Sequence, residues 1–441
     1  MIAEFDFVAR VGQAAEARDE LSGSSYWVND QVFVHRFGAA LDPAVADLVT
    51  VALSCYAADR LTRRPIAWTR QFRLRLAVSD PGRWREAASE LASYLAELTD
   101  DDWSFDFVGG RPRRISEQQA TLFPVDLEGQ GTVGLFSGGL DSLAGAAHWL
   151  SVDHEPLILL GARSSPVIGR DQQRVAAGLR ERHGDRVVEL GVPLQLRHAY
   201  SAEDSQRTRG FLFLSLATAA AITANARRVV VFENGYGAHN PRLAEHQWGA
   251  QATRSTHPHL LTRFARLSDV LGLPVVVELP HRWHTKAELL RLMPVDDHDL
   301  VALTASCDGY PLRRAGFTHC GRCGSCVLRQ QSLAAAGLEH LDRLDYVRRP
   351  LDRGIEANVV TMLMARQAWL FGELGHIESW SEIAWRWPSL TLGLEDSQWD
   401  QRANVLRLMN EVASEWVSLL TERPHLRRHL RWPAPETAAT A

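Results

Sequence analysis

The chain has 441 residues, 46% of them hydrophobic and 23% charged, and a formal net charge of −5. That length allows two or three domains with cores of their own, and the charge balance gives no footprint for non-specific nucleic-acid binding. The first residues lack the basic-then-apolar build of a signal peptide, and the most apolar run, residues 211–224, is too short to span a bilayer, so a cytoplasmic protein is expected.

Residues 1–125 read as an α+β domain. Gln31–Arg36, Gln71–Val78 and Trp103–Val108 have strand patterns, and Pro43–Arg60 and Pro81–Leu98 have amphipathic helical ones. No catalytic constellation falls here, and Cys55 sits in an apolar helical stripe as a core residue. Over residues 126–345 strands alternate with helices. The strands are Thr132–Phe136, Pro156–Leu160, Arg186–Leu190, Val229–Glu233 and Val275–Leu279. Between them lie helical stretches at Leu143–Leu150, Asp171–His183, Phe211–Arg227 and His259–Leu271. Short apolar strands alternating with helices predict a doubly wound parallel sheet. Ligands of such sheets lie beyond the carboxyl ends of the strands, which here supply Ser137, Arg163, Glu233, Asn234 and His281. Residues 346–441 read as a helical region, with helices at Glu356–Leu374 and Trp399–Thr421 and a tail, Pro433–Ala441, expected to be disordered.

The first expected strand runs into Ser137-Gly138-Gly139-Leu140-Asp141-Ser142, and a helix starts near Asp141. Two glycines permit a tight turn, and the bare amides, the two serines and the helix dipole make an anion cradle. Asp141 adds a carboxylate suited to Mg²⁺ bridging phosphate oxygens. Three look-alikes fail. A Walker loop needs Gly-Lys-Ser/Thr, whereas the one lysine is Lys286. A nucleophile elbow needs glycine where Leu135 stands. Gly129-Gln-Gly131-Thr-Val-Gly134 spells the dinucleotide fingerprint but precedes its strand. Ser-Gly-Gly-x-Asp-Ser in this setting resembles the PP-loop of ATP pyrophosphatases, which implies cleavage of ATP between its α and β phosphates.

Of 48 Lys and Arg residues, only Lys286 is lysine; it alone offers a compact ammonium on a side chain. Of five cysteines, Cys307, Cys320, Cys323 and Cys326 cluster as C-x₁₂-C-x₂-C-x₂-C. Thiolates so spaced close a tetrahedral Zn²⁺ site with no open position, hence a structural one; a reducing compartment argues against disulfides. His319 is a weaker alternative ligand to Cys320. His281-x-x-His284 has metal spacing but no evident third ligand.

Ser137–Ser142, Arg209-Gly-Phe-Leu-Phe-Leu214, Lys286-Ala-Glu-Leu289, Thr304-Ala-Ser-Cys307 and His319–Arg329 together resemble the 7-cyano-7-deazaguanine synthase family (QueC), over residues 130–340. Glu233-Asn-Gly and Thr253-Arg-Ser-Thr-His-Pro258 depart from the ordinary synthase and look like the QueC-like proteins of anti-phage operons, of the Qat and type IV CBASS kind. The resemblance implies a HUP-like PP-loop fold and Mg-ATP as activator, with AMP and pyrophosphate released. It also implies 7-carboxy-7-deazaguanine as the activated acid and the N-terminal amine of a partner protein as acceptor. Leu135, Phe136, Ser137, Gly138, Gly139, Leu140, Asp141, Ser142 and Arg163 would then line the nucleotide, with Asp141, Arg209 and Lys286 catalytic. Glu233, Asn234, Arg254 and His257 would bind substrate, and the four cysteines zinc. The alternatives are a free nitrile synthase using ammonia and a nucleotide-binding scaffold of a defence complex; a tRNA-modifying enzyme is disfavoured by the acidic balance. Neither membrane nor nucleic-acid binding is expected.

Overall fold

The computed structural model describes residues 2–7, 15–16, 25–28, 31–38, 41–110, 125–197, 201–226, 228–312, 316–349, 351–352, 358–374, 380–394 and 399–430. The tail Pro433–Ala441 lies outside them. Within them the protein is mixed α/β with parallel sheets. Contacts gather the chain into two compact units. One comprises Met1–Gly138, Gly145–Glu233 and Gly249–Pro280, the other Gly139–Ala144, Asn234–Trp248 and His281–Ala441.

The strands of the first unit are β1 Ile2–Phe7, β2 Ala15–Glu16, β3 Ser25–Val28, β4 Gln71–Val78, β5 Asp102–Gly109, β6 Thr132–Leu135, β7 Leu157–Arg163, β8 Val187–Arg197, β9 Arg228–Val231 and β10 Val276–Glu278. β1, β4 and β5 form a parallel three-stranded sheet. Along β4 the even residues Phe72, Leu74, Leu76 and Val78 are buried and the odd ones turn outward, the two-residue period of a half-covered strand. Helix Pro81–Thr99 seals the buried face, with Trp84 against Phe107 (ring centroids 5.3 Å apart) and Phe72 stacked on Trp103 (4.2 Å).

The other strands form a second sheet in the order β10-β9-β6-β7-β8-β3-β2. β6 to β10 are mutually parallel, and β3 and β2 join antiparallel beyond β8. The first parallel strand in the chain, β6, is central; its successors β7 and β8 lie to one side, β9 and β10 to the other. Strand order therefore reverses between β6 and β9, the point at which open parallel sheets bind ligands. The helix after β6, Leu140–Val152, seats closely because two glycines make room for Phe232. A Cβ on Gly134 would fall 2.5 Å from the Phe232 ring, and one on Gly145 2.7 Å from its Cβ.

One expectation changes. Gln31–Arg36 is not a strand: Gln31–Phe37 is a helix. The β-branched and aromatic run Val32-Phe33-Val34 suits a strand, but Phe33, Val34 and Phe37 are the buried ones, a spacing that only a helical turn brings to one side. Helix Pro43–Leu61 is apolar nearly all round, as a helix enclosed by protein must be. Cys55, fully buried in it, has its thiol pushed well above its usual range by burial. The helix is tied to the start of helix Arg209–Thr223 by Asp59, which accepts from the Thr208 amide (3.0 Å) and hydroxyl (2.9 Å). Asp59 and Asp101 are buried beside Arg64 and Arg70, with Arg70 Nη2 at 2.6 and 2.8 Å from the two carboxylates, as buried charges must be paired.

In the second unit helices Val359–Gly372 and Trp399–Glu422 pack together around Phe371, Leu408, Met409 and Trp416, and Tyr236 donates from its hydroxyl to Gln367 Oε1 (2.7 Å). Helix Gly324–Ala335 joins this core through Val327. Within it Glu415 is 5% exposed. Gln331 Nε2 (3.0 Å) and the Thr285 hydroxyl both donate to its carboxylate. Burial raises Glu415 from its ordinary 4.5 to about 7; the two donors oppose the rise, Glu411 adds to it and Arg291 subtracts. The folded protein thus keeps a proton that the unfolded chain releases near pH 4.5. This contribution to stability is complete below that pH and is lost as pH rises to 7. At about 1.4 kcal/mol per pKa unit it amounts to about 3 kcal/mol. Denaturant unfolding should show Glu415→Gln matching the parent at pH 4.5 and exceeding it at pH 8; equal pH slopes in both proteins would refute the assignment. Among the described residues no helix is long and apolar enough to cross a membrane.

Candidate functional site

After β6 the chain turns within three residues. The Phe136 amide still pairs with Leu160 O (2.8 Å), and Gly138 then takes φ +74° against Gln172, a conformation that side-chain-bearing residues resist. Helix Leu140–Val152 follows at once. At its head the Leu140 amide donates to Ser306 Oγ (3.3 Å) and Ser142 Oγ to Gly139 O (3.0 Å). Asp141 sits in the first turn, where the helix dipole favours an anion.

Two partners from distant segments meet Asp141. Lys286 Nζ lies 2.7 Å from Oδ2, and Asn234 Nδ2 donates to Oδ1 (2.9 Å). Lys286 is 5% exposed, so its charge depends on this carboxylate for compensation. It opens helix Lys286–Leu292, whose entry is a full capping box. Thr285 Oγ1 accepts from the Glu288 amide (3.0 Å), and Glu288 Oε2 accepts from the Thr285 amide (2.7 Å). Asn234 does double duty, since its Oδ1 caps the short helix Gly235–His239 at the Gly237 amide (2.9 Å). The result is a carboxylate, an ammonium and an amide beside a glycine turn and a helix amino end. That donor set suits a polyanion and leaves one lone pair on each Asp141 oxygen.

The four cysteines converge. Their sulfurs all lie within 4.8 Å of one another, with Cys320–Cys326 and Cys323–Cys307 each at 4.0 Å. Disulfide bonding would need about 2.05 Å. A tetrahedral ion with bonds of about 2.3 Å to sulfur sets its ligands about 3.8 Å apart, close to what is seen. Backbone amides of Cys320 and Arg322 donate to the sulfurs of Cys307 (3.4 Å) and Cys320 (3.3 Å), and hydrogen bonds from Cys323 and Cys326 hold the Cys307 thiol well below its usual range. The cluster could hold a metal ion such as zinc. His319 is not among its ligands: its Nε2 accepts from the Ser306 amide (3.1 Å), its ring stacks on Tyr346, and burial lowers it to about 4.

Arg329, fully buried, shares the Ser306 hydroxyl with the head of helix Leu140–Val152. From helix Gly324–Ala335 it donates to Thr304 Oγ1 (2.8 Å), Ser306 Oγ (3.1 Å) and Val301 O (3.1 Å), and pairs with Asp342 (3.1 Å). Ser306 thus stands between Cys307 and the amino end of the Asp141 helix. Neither Ser306 nor Arg329 stands out by residue type, although both fall within the motifs that carry the resemblance.

The other expected site residues have the following partners. In the first unit Arg163 pairs with Glu189 and covers Gly191. Arg209, exposed, stacks over Phe213 (4.8 Å), with no hydrogen bond or ion pair to its guanidinium among the described residues. Arg254 donates to Glu97 O (2.7 Å) and faces Asp100 (3.4 Å). His257, buried, caps helix Pro258–Val270 by accepting from the His259 amide (3.2 Å). Glu233 is half-buried just past β9. In the second unit His281 and His284 stand with ring centroids 5.7 Å apart, and neither belongs to a metal-competent group among the described residues. No protein-family model matches the sequence, and no curated protein matches it.

Proposed function

We propose that the chain is an ATP-dependent ligase that adenylates the carboxylate of a 7-deazaguanine, 7-carboxy-7-deazaguanine, and passes the acyl group to an amine. The observation that carries this reading is the Asp141–Lys286 pair at the head of the helix that follows the glycine turn. A carboxylate oxygen of the substrate attacks the α-phosphorus of ATP and pyrophosphate leaves. The amine nitrogen then attacks the acyl carbon, loses a proton and expels AMP. Both anions must approach before a bond forms, so fixed positive charge lowers the barrier. Lys286 supplies it; Arg209 is the second candidate. Ser137, Gly138, Gly139, Leu140 and Ser142 would cradle the phosphates, and Asp141 would take Mg²⁺ on its open lone pairs.

Glu233 would accept from the ring N–H and exocyclic amine of the base. The acid and the acceptor, the N-terminal amine of a partner protein in an anti-phage defence system, rest on the sequence resemblance; the PP-loop fold rests on it together with the strand order. Incubation with ATP, 7-carboxy-7-deazaguanine and either ammonia or a protein from the same operon, read by intact mass, tests the reading. The expected result is a protein heavier by the acyl group. A nitrile formed from ammonia with no protein shift would favour the free synthase, and no AMP under any condition would favour a nucleotide-binding scaffold.

A further inference from the structure

The long C-terminal helix Trp399–Glu422 reaches both segments that hold Asp141. Arg407 donates through Nη1 to Glu288 Oε1 (2.6 Å), through Nη2 to Glu288 Oε2 (3.3 Å), and also to Trp283 O. Glu415, two turns further along, accepts from the Thr285 hydroxyl. The two residues of the capping box that starts the Lys286 helix are therefore each gripped by one residue of this helix. Between them Leu408 closes on Gly235, where a Cβ would fall 2.7 Å from Leu408 Cδ2 and 2.3 Å from Arg282 O. Gly235 is the neighbour of Asn234, and its amide donates to His284 O (2.7 Å). Both donors to Asp141 thus issue from backbone pinned by the same helix.

We propose that helix Trp399–Glu422 is the positioning element of the Asp141 cluster, with Arg407 and Glu415 as positioning residues that set the ammonium of Lys286 against Asp141. The functional meaning of that placement rests on the adenylation reading above; the placement itself does not. Thr285 has a single hydroxyl proton. With Glu415 as its acceptor, the oxygen lone pairs are turned toward the Glu288 amide, and the first helical residue, Lys286, is fixed. Arg407 fixes Glu288, the other half of the box. Loss of either grip lets the first turn fray, and the ammonium wanders while the rest of the fold stays intact.

Because Lys286 is the one lysine of the chain, protein grown on ¹³C-lysine carries a single set of side-chain signals. The ¹H–¹³Cε correlation then reports this residue alone. Asp141→Asn supplies the reference position for an unpaired ammonium. Arg407→Ala and Glu415→Ala are expected to move the signal part of the way to that reference and to lower kcat for AMP formation by about tenfold to a hundredfold, with KM for ATP little changed. Glu415→Gln, which keeps an acceptor for Thr285, is expected to hold the parent position. The Arg407 side chain is 46% exposed, so its truncation leaves a folded protein even where Glu415→Ala does not. An unmoved Lys286 signal in folded Arg407→Ala overturns the proposal, as does a Glu415→Gln signal displaced as far as that of Glu415→Ala. If the parent protein forms no AMP, the adenylation reading falls while the signal shifts still decide the positioning role.

Discussion

AMP formation by the Asp141→Ala protein is expected to fall by ~10²–10³-fold, the usual effect of removing one preorganised electrostatic group from a reacting centre. Asp141 pairs with Lys286 and accepts from Asn234, and under the adenylation reading its remaining lone pairs would take Mg²⁺. The same change should cost stability, because it strands an ammonium that is 5% exposed; breaking such a pair typically costs about 3 kcal/mol. Lys286→Met should cost less, since Asp141 retains the Asn234 donor and its side chain is 19% exposed. The double variant should regain most of the stability lost in Asp141→Ala while regaining none of the turnover. Pyrophosphate release and urea unfolding on the four proteins of this cycle separate the two effects. Turnover surviving Asp141→Ala would remove this carboxylate from the chemistry.

Stripping the metal is expected to be the second large effect. Purified protein should hold one zinc per chain, and cobalt substitution should give the intense charge-transfer band of tetrahedral thiolate ligation. Structural zinc contributes on the order of 10 kcal/mol of binding free energy at neutral pH in isolated fingers, and a zinc ion held by the four cysteines would lend part of that to the second unit. Cys307 adjoins Ser306, and Arg329 follows Cys326 by three residues. Chelation or Cys326→Ser should therefore loosen the Leu140 amide contact as well as the cluster. Hydrogen exchange should show the loss at residues 304–346 and at the first turn of helix Leu140–Val152. Metal-free protein that unfolds at the same temperature as the native form would refute a structural role.

Much of this was legible locally. β4 alternates apolar and polar residues, β6, β7, β9 and β10 are short apolar runs, and these patterns locate each strand within a few residues. The four cysteines announced their cluster by spacing, and Lys286 by its singularity. Illegible were the contacts made across long stretches of chain. Leu140 meets Ser306 across 166 residues and Thr285 meets Glu415 across 130; neither pairing leaves a periodic trace. The sequence marks Asn234 only as a polar residue past a strand end; the fold reveals that it donates to Asp141. The antiparallel addition of β3 to β8 is equally silent, because edge pairing depends on which strand is left uncovered. The strand expected at Gln31–Arg36 is a helix because a segment of seven residues with only four apolar ones is too short for either period to declare itself.

The packing of Phe232 between Gly134 and Gly145 ties three separated positions into a single volume constraint. Enlarging either glycine alone forces the benzyl ring into space already taken, so such changes become tolerable only alongside a smaller residue at 232. Libraries randomised at the three sites together should yield functional members whose summed side-chain volume is nearly constant, a mutational coupling that single-site scans would record merely as three intolerant positions.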